Sequence, residues 1–224
     1  MNSTKIIGFL LLTLLIIPTS PLLAGNNKNL VDNSDFKKLD INGDPVGWLK
    51  GGYGENTRSY AFIPCSQVYT EDDLDNTSDE PVFVFRPDCP PNATHRLQTT
   101  VFDYINGDGK WYFKDIKIGS EKDFIASFDY QPYTDNAQAI LRYTLKDKTY
   151  KYELLSNLPQ VTAGGHGYIG WVHAKHNFTT PKGAKSLTIF FSVQGDGICG
   201  VTCIGPDRGT LSIANVSLVH DKQK

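Results

Sequence analysis

Ser186-Leu187-Thr188-Ile189-Phe190-Phe191-Ser192-Val193 decides the fold class. Successive side chains of an extended strand point to opposite faces, so Leu187, Ile189, Phe191 and Val193 share one side and Ser186, Thr188, Phe190 and Ser192 the other. The same alternation recurs upstream. Phe124, Ala126 and Phe128 alternate with Ile125, Ser127 and Asp129, and Ala139, Leu141, Tyr143 and Leu145 alternate with Ile140, Arg142 and Thr144. One mostly apolar face per segment is the pattern of strands that cover a core on one side.

Working outward, further strands are expected near Arg58–Pro64, Arg96–Phe102, Lys110–Ile118, Thr149–Leu155, Ile169–Phe178 and Thr210–Val219. Turn signals separate them: Asn106-Gly107-Asp108-Gly109, Lys146-Asp147-Lys148, Ala163-Gly164-Gly165 and Pro181-Lys182-Gly183. No helical periodicity follows residue 25. Short strands at this spacing imply an all-β sandwich or barrel. Composition agrees, with 12 Phe, 11 Tyr and 3 Trp against a single Met, since aromatic rings pack well on pleated surfaces. The formal net charge of −2, without a basic stripe, argues against a nucleic-acid partner.

The first 24 residues form a separate unit. Lys5 precedes the apolar run Ile6–Ile17, and Pro18, Ser20, Pro21 and Ala24 close it, the pattern of a secretory signal peptide. The run is shorter than the roughly 20 residues of a membrane span, although an uncleaved anchor is the rival reading. A secreted or cell-surface location is therefore expected, with one domain over residues 25–224.

Two stretches read as insertions, about residues 66–94 and 195–209. The first is acidic and Pro-rich, with an apolar piece Val82–Phe85 that could add a short strand; the second is Gly-rich. Four cysteines, Cys65, Cys89, Cys199 and Cys203, in an exported chain suggest two disulfides. Of the three pairings, locality favours Cys65–Cys89 and Cys199–Cys203. The bridges either only stabilise the domain or stiffen loops that frame a site. A four-thiolate zinc site does not match the spacing.

The opening Asn29-Leu30-Val31-Asp32-Asn33-Ser34-Asp35-Phe36, followed by Gly43-Asp44-Pro45-Val46-Gly47-Trp48 and Gly51-Gly52-Tyr53-Gly54-Glu55-Asn56-Thr57, resembles the start of jelly-roll carbohydrate-binding modules, the CBM4/9-like, galactose-binding-like β-sandwiches. Lys110-Trp111-Tyr112-Phe113, the stretch Phe178–Thr188 and the closing Gly209–Leu218 resemble later strands of the same group. The resemblance implies a single jelly-roll sandwich that binds a polysaccharide or glycan. It also implies a structural calcium where the terminal strands join. Here Ala214 stands where Asp is usual and Lys37 where Glu is common, which leaves Asp35 and Asn215 as weak ligands. Calcium takes six to eight oxygens, so such a site is poorly equipped.

A sugar ring offers an apolar face to an aromatic ring and a rim of hydroxyls to polar groups. Trp48, Tyr53 and Trp111 are the aromatic candidates for lining one groove, and Asp129, Arg142 and Gln194, outward by strand parity, are the polar ones expected to read hydroxyls in it. Each Trp has an alternative place in the core. Trp111 and Tyr112 alternate, so both cannot face inward. Trp171 reads as a packing residue. Phe190, outward beside Ser192 and Gln194, is an exposed apolar group of the kind that marks a groove. His173 and His176 have opposite parity and cannot share a metal. Asn76, Asn92, Asn177 and Asn215 open sequons that count only in a host with glycosylation machinery. No nucleophile elbow or phosphate loop is present. The expectation is non-catalytic glycan binding. A glycoside hydrolase or polysaccharide lyase on the same scaffold, and an envelope adhesion or structural protein, are the alternatives.

Overall fold

The computed structural model describes residues 28–65, 89–160, 162–163, 168–195 and 208–222. The expected signal peptide, Cys199 with Cys203, Val82–Phe85 and Asn76 lie outside the described residues. Among the described residues, twelve strands run in order: β1 Trp48–Tyr53, β2 Thr57–Pro64, β3 His95–Phe102, β4 Asp108–Lys117, β5 Asp123–Pro132, β6 Ala137–Leu145, β7 Tyr150–Asn157, β8 Thr162–Ala163, β9 Tyr168–Ile169, β10 Val172–Thr179, β11 Ala184–Val193 and β12 Gly209–His220. Two five-stranded antiparallel sheets result, β1-β4-β11-β6-β7 and β10-β5-β12-β3-β2, with β8 and β9 forming a small ribbon. The fold is a jelly-roll β-sandwich.

The alternation read from the sequence is what fills the layer between the sheets. Leu187, Ile189, Phe191 and Val193 from one sheet and Phe124, Phe128, Ile213 and Leu218 from the other are all buried. Phe128 and Phe191 meet edge to face across the two layers, with centroids 4.9 Å apart. Trp48 sits against Phe36, Phe113 and Phe191. Trp111, from the first sheet, reaches across the sandwich and donates its indole N–H to the Gln98 carbonyl of β3 at 3.0 Å. That bond removes the penalty of burying a polar N–H and ties the two sheets together.

The two ends of the described chain are joined. Leu30 N–H donates to the Leu218 carbonyl at 2.8 Å, and the Asn29 side chain both accepts from Leu218 N–H and donates to the Val216 carbonyl. The opening motif is thereby laid along β12. Cys65 and Cys89 form a disulfide across the base of the first insertion.

Three expectations need correction. The Trp48–Tyr53 stretch, absent from the expected strands, is an edge strand paired along its length with β4. The long strand expected over Ile169–Phe178 is two pieces, β9 and β10, in different sheets. Asp129 and Arg142 lie on different sheets, because the chain crosses between layers from β5 to β6. Parity fixes the direction of a side chain relative to its own strand, and it is silent about which layer that strand joins.

Candidate functional site

The outer face of the first sheet is built in rows by its registers. Tyr53 lies opposite Asp108. Gly51, Lys110, Ser192, Gln138 and Asn157 form the next row, and Leu49, Tyr112, Phe190, Ile140 and Leu154 the row after it. Thr188, Arg142 and Tyr152 follow, then Thr144 and Tyr150. Alternation turns all of these away from the core that Trp111, Phe113, Ile189 and Leu141 fill. The β6–β7 hairpin holds the far rim. Asp147 accepts from both the backbone N–H and the hydroxyl of Thr149, which keeps its carboxyl below the ordinary value and closes the turn beside Tyr150. Gly51 leaves the near rim open to Tyr112, since a Cβ there would come within 3.1 Å of that ring.

The face is an alternating series of rings and cations. The Lys110 ammonium lies 5.4 Å from the Tyr53 centroid and 5.6 Å from that of Phe190. The Arg142 guanidinium lies 5.3 Å from Phe190 and 4.8 Å from Tyr150. Phe190 is thus shared by both cations, and Tyr112 leans against it at 5.2 Å. Such contacts contribute about 0.5–1 kcal/mol each at exposed sites, enough to bias the orientation of long side chains. The outer rings remain open to solvent: Tyr53 is 61% exposed, Tyr150 58% and Tyr152 62%. Polar groups lie among them. Asp108 Oδ2 accepts from Lys110 at 2.8 Å and from Ser192 at 2.9 Å, and Gln138 Nε2 donates to Asn157 Oδ1 at 3.2 Å.

The six candidates from the sequence fall in three places. Tyr53 and Arg142 lie on this face. Gln194 follows β11 in step with Phe190 and Ser192, its backbone N–H bonded to the Asn136 carbonyl at 3.0 Å. Trp48 and Trp111, 3% and 1% exposed, are in the core and offer no ring to a ligand in this conformation. Their large apolar area is worth more between the sheets than on a rim. Asp129 is on the outer face of the other sheet, accepting from Asn215 Nδ2 at 2.6 Å and bonded to His173 Nδ1 at 2.7 Å. With Pro91 and Asn92 these residues line a shallow depression of about 420 Å³. His176 instead stacks on Phe128. Asn215, at a bulge with φ 50°, has its amide turned to Asp129 and the Pro91 carbonyl. For the Asp35 carboxyl, burial raises the pKa, but bonds from Lys37, whose ammonium is 3.0 Å away, leave it below the ordinary value.

The alternation of Trp111 and Tyr112 does send Tyr112 outward, whereas Tyr150, Tyr152 and Lys110 are not among the sequence candidates. Tyr150 and Tyr152 did carry a signal: two Tyr at i and i+2 in an expected strand must share a face.

No protein-family model matches the sequence, and no characterised protein matches it in sequence. Solved structures do resemble it. The enzymatically active domain of bacteriophage CBA120 tailspike protein 4 matches with a TM-score of 0.50 and 15% identity over 86% of this chain, which spans only 21% of that chain. The CBM22-1 xylan-binding domain of Paenibacillus barcinonensis Xyn10C matches with a TM-score of 0.47 and 12% identity, over 88% of this chain and 97% of that one. TmCBM61, solved with β-1,4-galactotriose, matches with a TM-score of 0.44 and 9% identity, over 87% and 100%. At these identities the likeness extends to the β-sandwich architecture and no further.

Proposed function

We propose that this chain binds a polysaccharide or surface glycan without cleaving it, on the outer face of the β1-β4-β11-β6-β7 sheet, as a CBM4/9-like module acting outside the cytosol. The ring-and-cation series from Tyr53 to Tyr150 carries the reading. It presents open aromatic faces for the CH side of sugar rings and, between them, amide and cationic donors for hydroxyls. The registers place these groups on a paired sheet rather than on loops, so little order has to be imposed when a ligand binds. The export reading is supported by the leader segment and by the Cys65–Cys89 disulfide, a bond that persists in oxidising compartments.

Affinity electrophoresis of the purified protein in gels cast with single polysaccharides tests this, with a parallel assay for new reducing or unsaturated ends. Retardation by at least one polymer, without product, is expected. Product release would make the chain a hydrolase or lyase. No retardation by any polymer, under conditions where the protein is folded, would remove the reading.

A further inference from the structure

The two cations of the aromatic face are not equivalent. Lys110 is paired with Asp108, which also takes the Ser192 hydroxyl. Among the described residues Arg142 has one hydrogen bond, from Nη2 to Thr188 Oγ1 at 3.3 Å, and no carboxylate within ion-pair distance. Its Nε is shielded from solvent and, among the described residues, has no acceptor. A guanidinium with a covered, unmatched N–H is a costly arrangement for a binding-neutral surface. The Phe190 and Tyr150 rings lie beside it, at 5.3 and 4.8 Å, and restrict the freedom of its remaining donors.

Resting on the carbohydrate-binding reading, we propose that the glycan is anionic and that Arg142 pairs with its charged group, a uronate carboxylate or a sulfate ester. A planar guanidinium matches either group through two parallel N–H···O bonds, whereas a neutral hydroxyl rim needs no fixed positive charge. The arrangement of the rings supports this. Arg142 is partly buried beside two aromatic rings, and a partly desolvated cation gains more from an anion than from a neutral hydroxyl. Tyr152, directly opposite Arg142 in register, is placed to take the apolar face of the sugar that bears the charge.

The test compares polymers that differ only in charge: polygalacturonate with its methyl ester, and dextran sulfate with dextran. Affinities are measured by isothermal titration at several salt concentrations, for wild type and for Arg142→Gln. Binding of the carboxylate or sulfate polymer, with the uncharged counterpart weaker and affinity falling as salt rises, supports the proposal, and the polymer preferred identifies the anion. Arg142→Gln should weaken the charged polymer roughly tenfold to a hundredfold, the scale of a hydrogen-bonded charged group. It should weaken any binding of the uncharged polymer far less, and the melting temperature of the variant confirms that it is folded. Binding that is equal for charged and uncharged polymers, or unaltered in Arg142→Gln, overturns the proposal and leaves the carbohydrate reading standing. Binding to no polymer, neutral ones included, overturns both.

Discussion

The two outer faces of this sandwich are made by the same alternation, yet they are chemically opposite. On the β10-β5-β12-β3-β2 face polar groups of β3, β5, β10 and β12 engage one another. The Thr210 hydroxyl lies 3.1 Å from that of Thr100, Ser212 donates to Gln98, and Asp129 is held by Asn215 and His173. On the β1-β4-β11-β6-β7 face, rings stand open and the Arg142 guanidinium is only partly matched. A face whose hydrogen bonds are mostly closed internally has less to exchange with a ligand. One that keeps rings and donors unmatched gains by binding.

That contrast can be broken in several ways, taken here from the largest expected effect to the smallest. Trp111→Ala removes a ring that bridges the two sheets, and should cost about 3–5 kcal/mol of stability, read from chemical denaturation. Trp48→Ala should behave alike. If either variant kept wild-type stability and lost only glycan binding, the partition between core and face would be wrong. Tyr152→Ala or Tyr150→Ala should weaken glycan binding by about 1–3 kcal/mol, with stability within roughly 0.5 kcal/mol, because these rings already face water. His173→Ala, on the opposite face, should leave affinity unchanged while altering stability by no more than about 1 kcal/mol, since it removes one hydrogen bond at the surface. Calcium should shift the melting midpoint little, because Lys37 engages the Asp35 carboxylate and the Asn215 amide is turned to Asp129. A rise of many degrees in millimolar calcium, reversed by chelator, would show a site that the described residues do not account for.

The same contrast shows what could be read before the fold was seen. Strand identity was legible, because the period-two pattern in Leu187–Val193 and its fellows is dictated by burial on one side. Direction was legible too: Arg142, Phe190 and Ser192 point outward as parity requires. Layer was not. Asp129 and Arg142 have the same local signature, an outward polar residue beside an inward apolar one, and only long-range pairing sends β5 and β6 to different sheets. Nor was it legible that Trp48 and Trp111 would be buried, since a Trp at a strand start fits core and rim equally well. Trp48 is covered by Phe36, Phe113 and Phe191, and Trp111 by Tyr60 and its bond to the Gln98 carbonyl, partners brought from distant parts of the chain. The binding face itself was half visible. Tyr150 and Tyr152 share a side by spacing alone, but their neighbourhood with Phe190 and Arg142 depends on the β7–β6–β11 order.

The most direct measurement is a backbone and side-chain NMR titration of the isotopically labelled protein with the polymer that retards it most. Shift changes should gather on Tyr53, Tyr112, Arg142, Phe190, Tyr150 and Tyr152 of one sheet and leave Asp129, His173 and Asn215 of the other unmoved. Changes gathered instead around Asp129, His173 and Asn215 would contradict the assignment of the binding face.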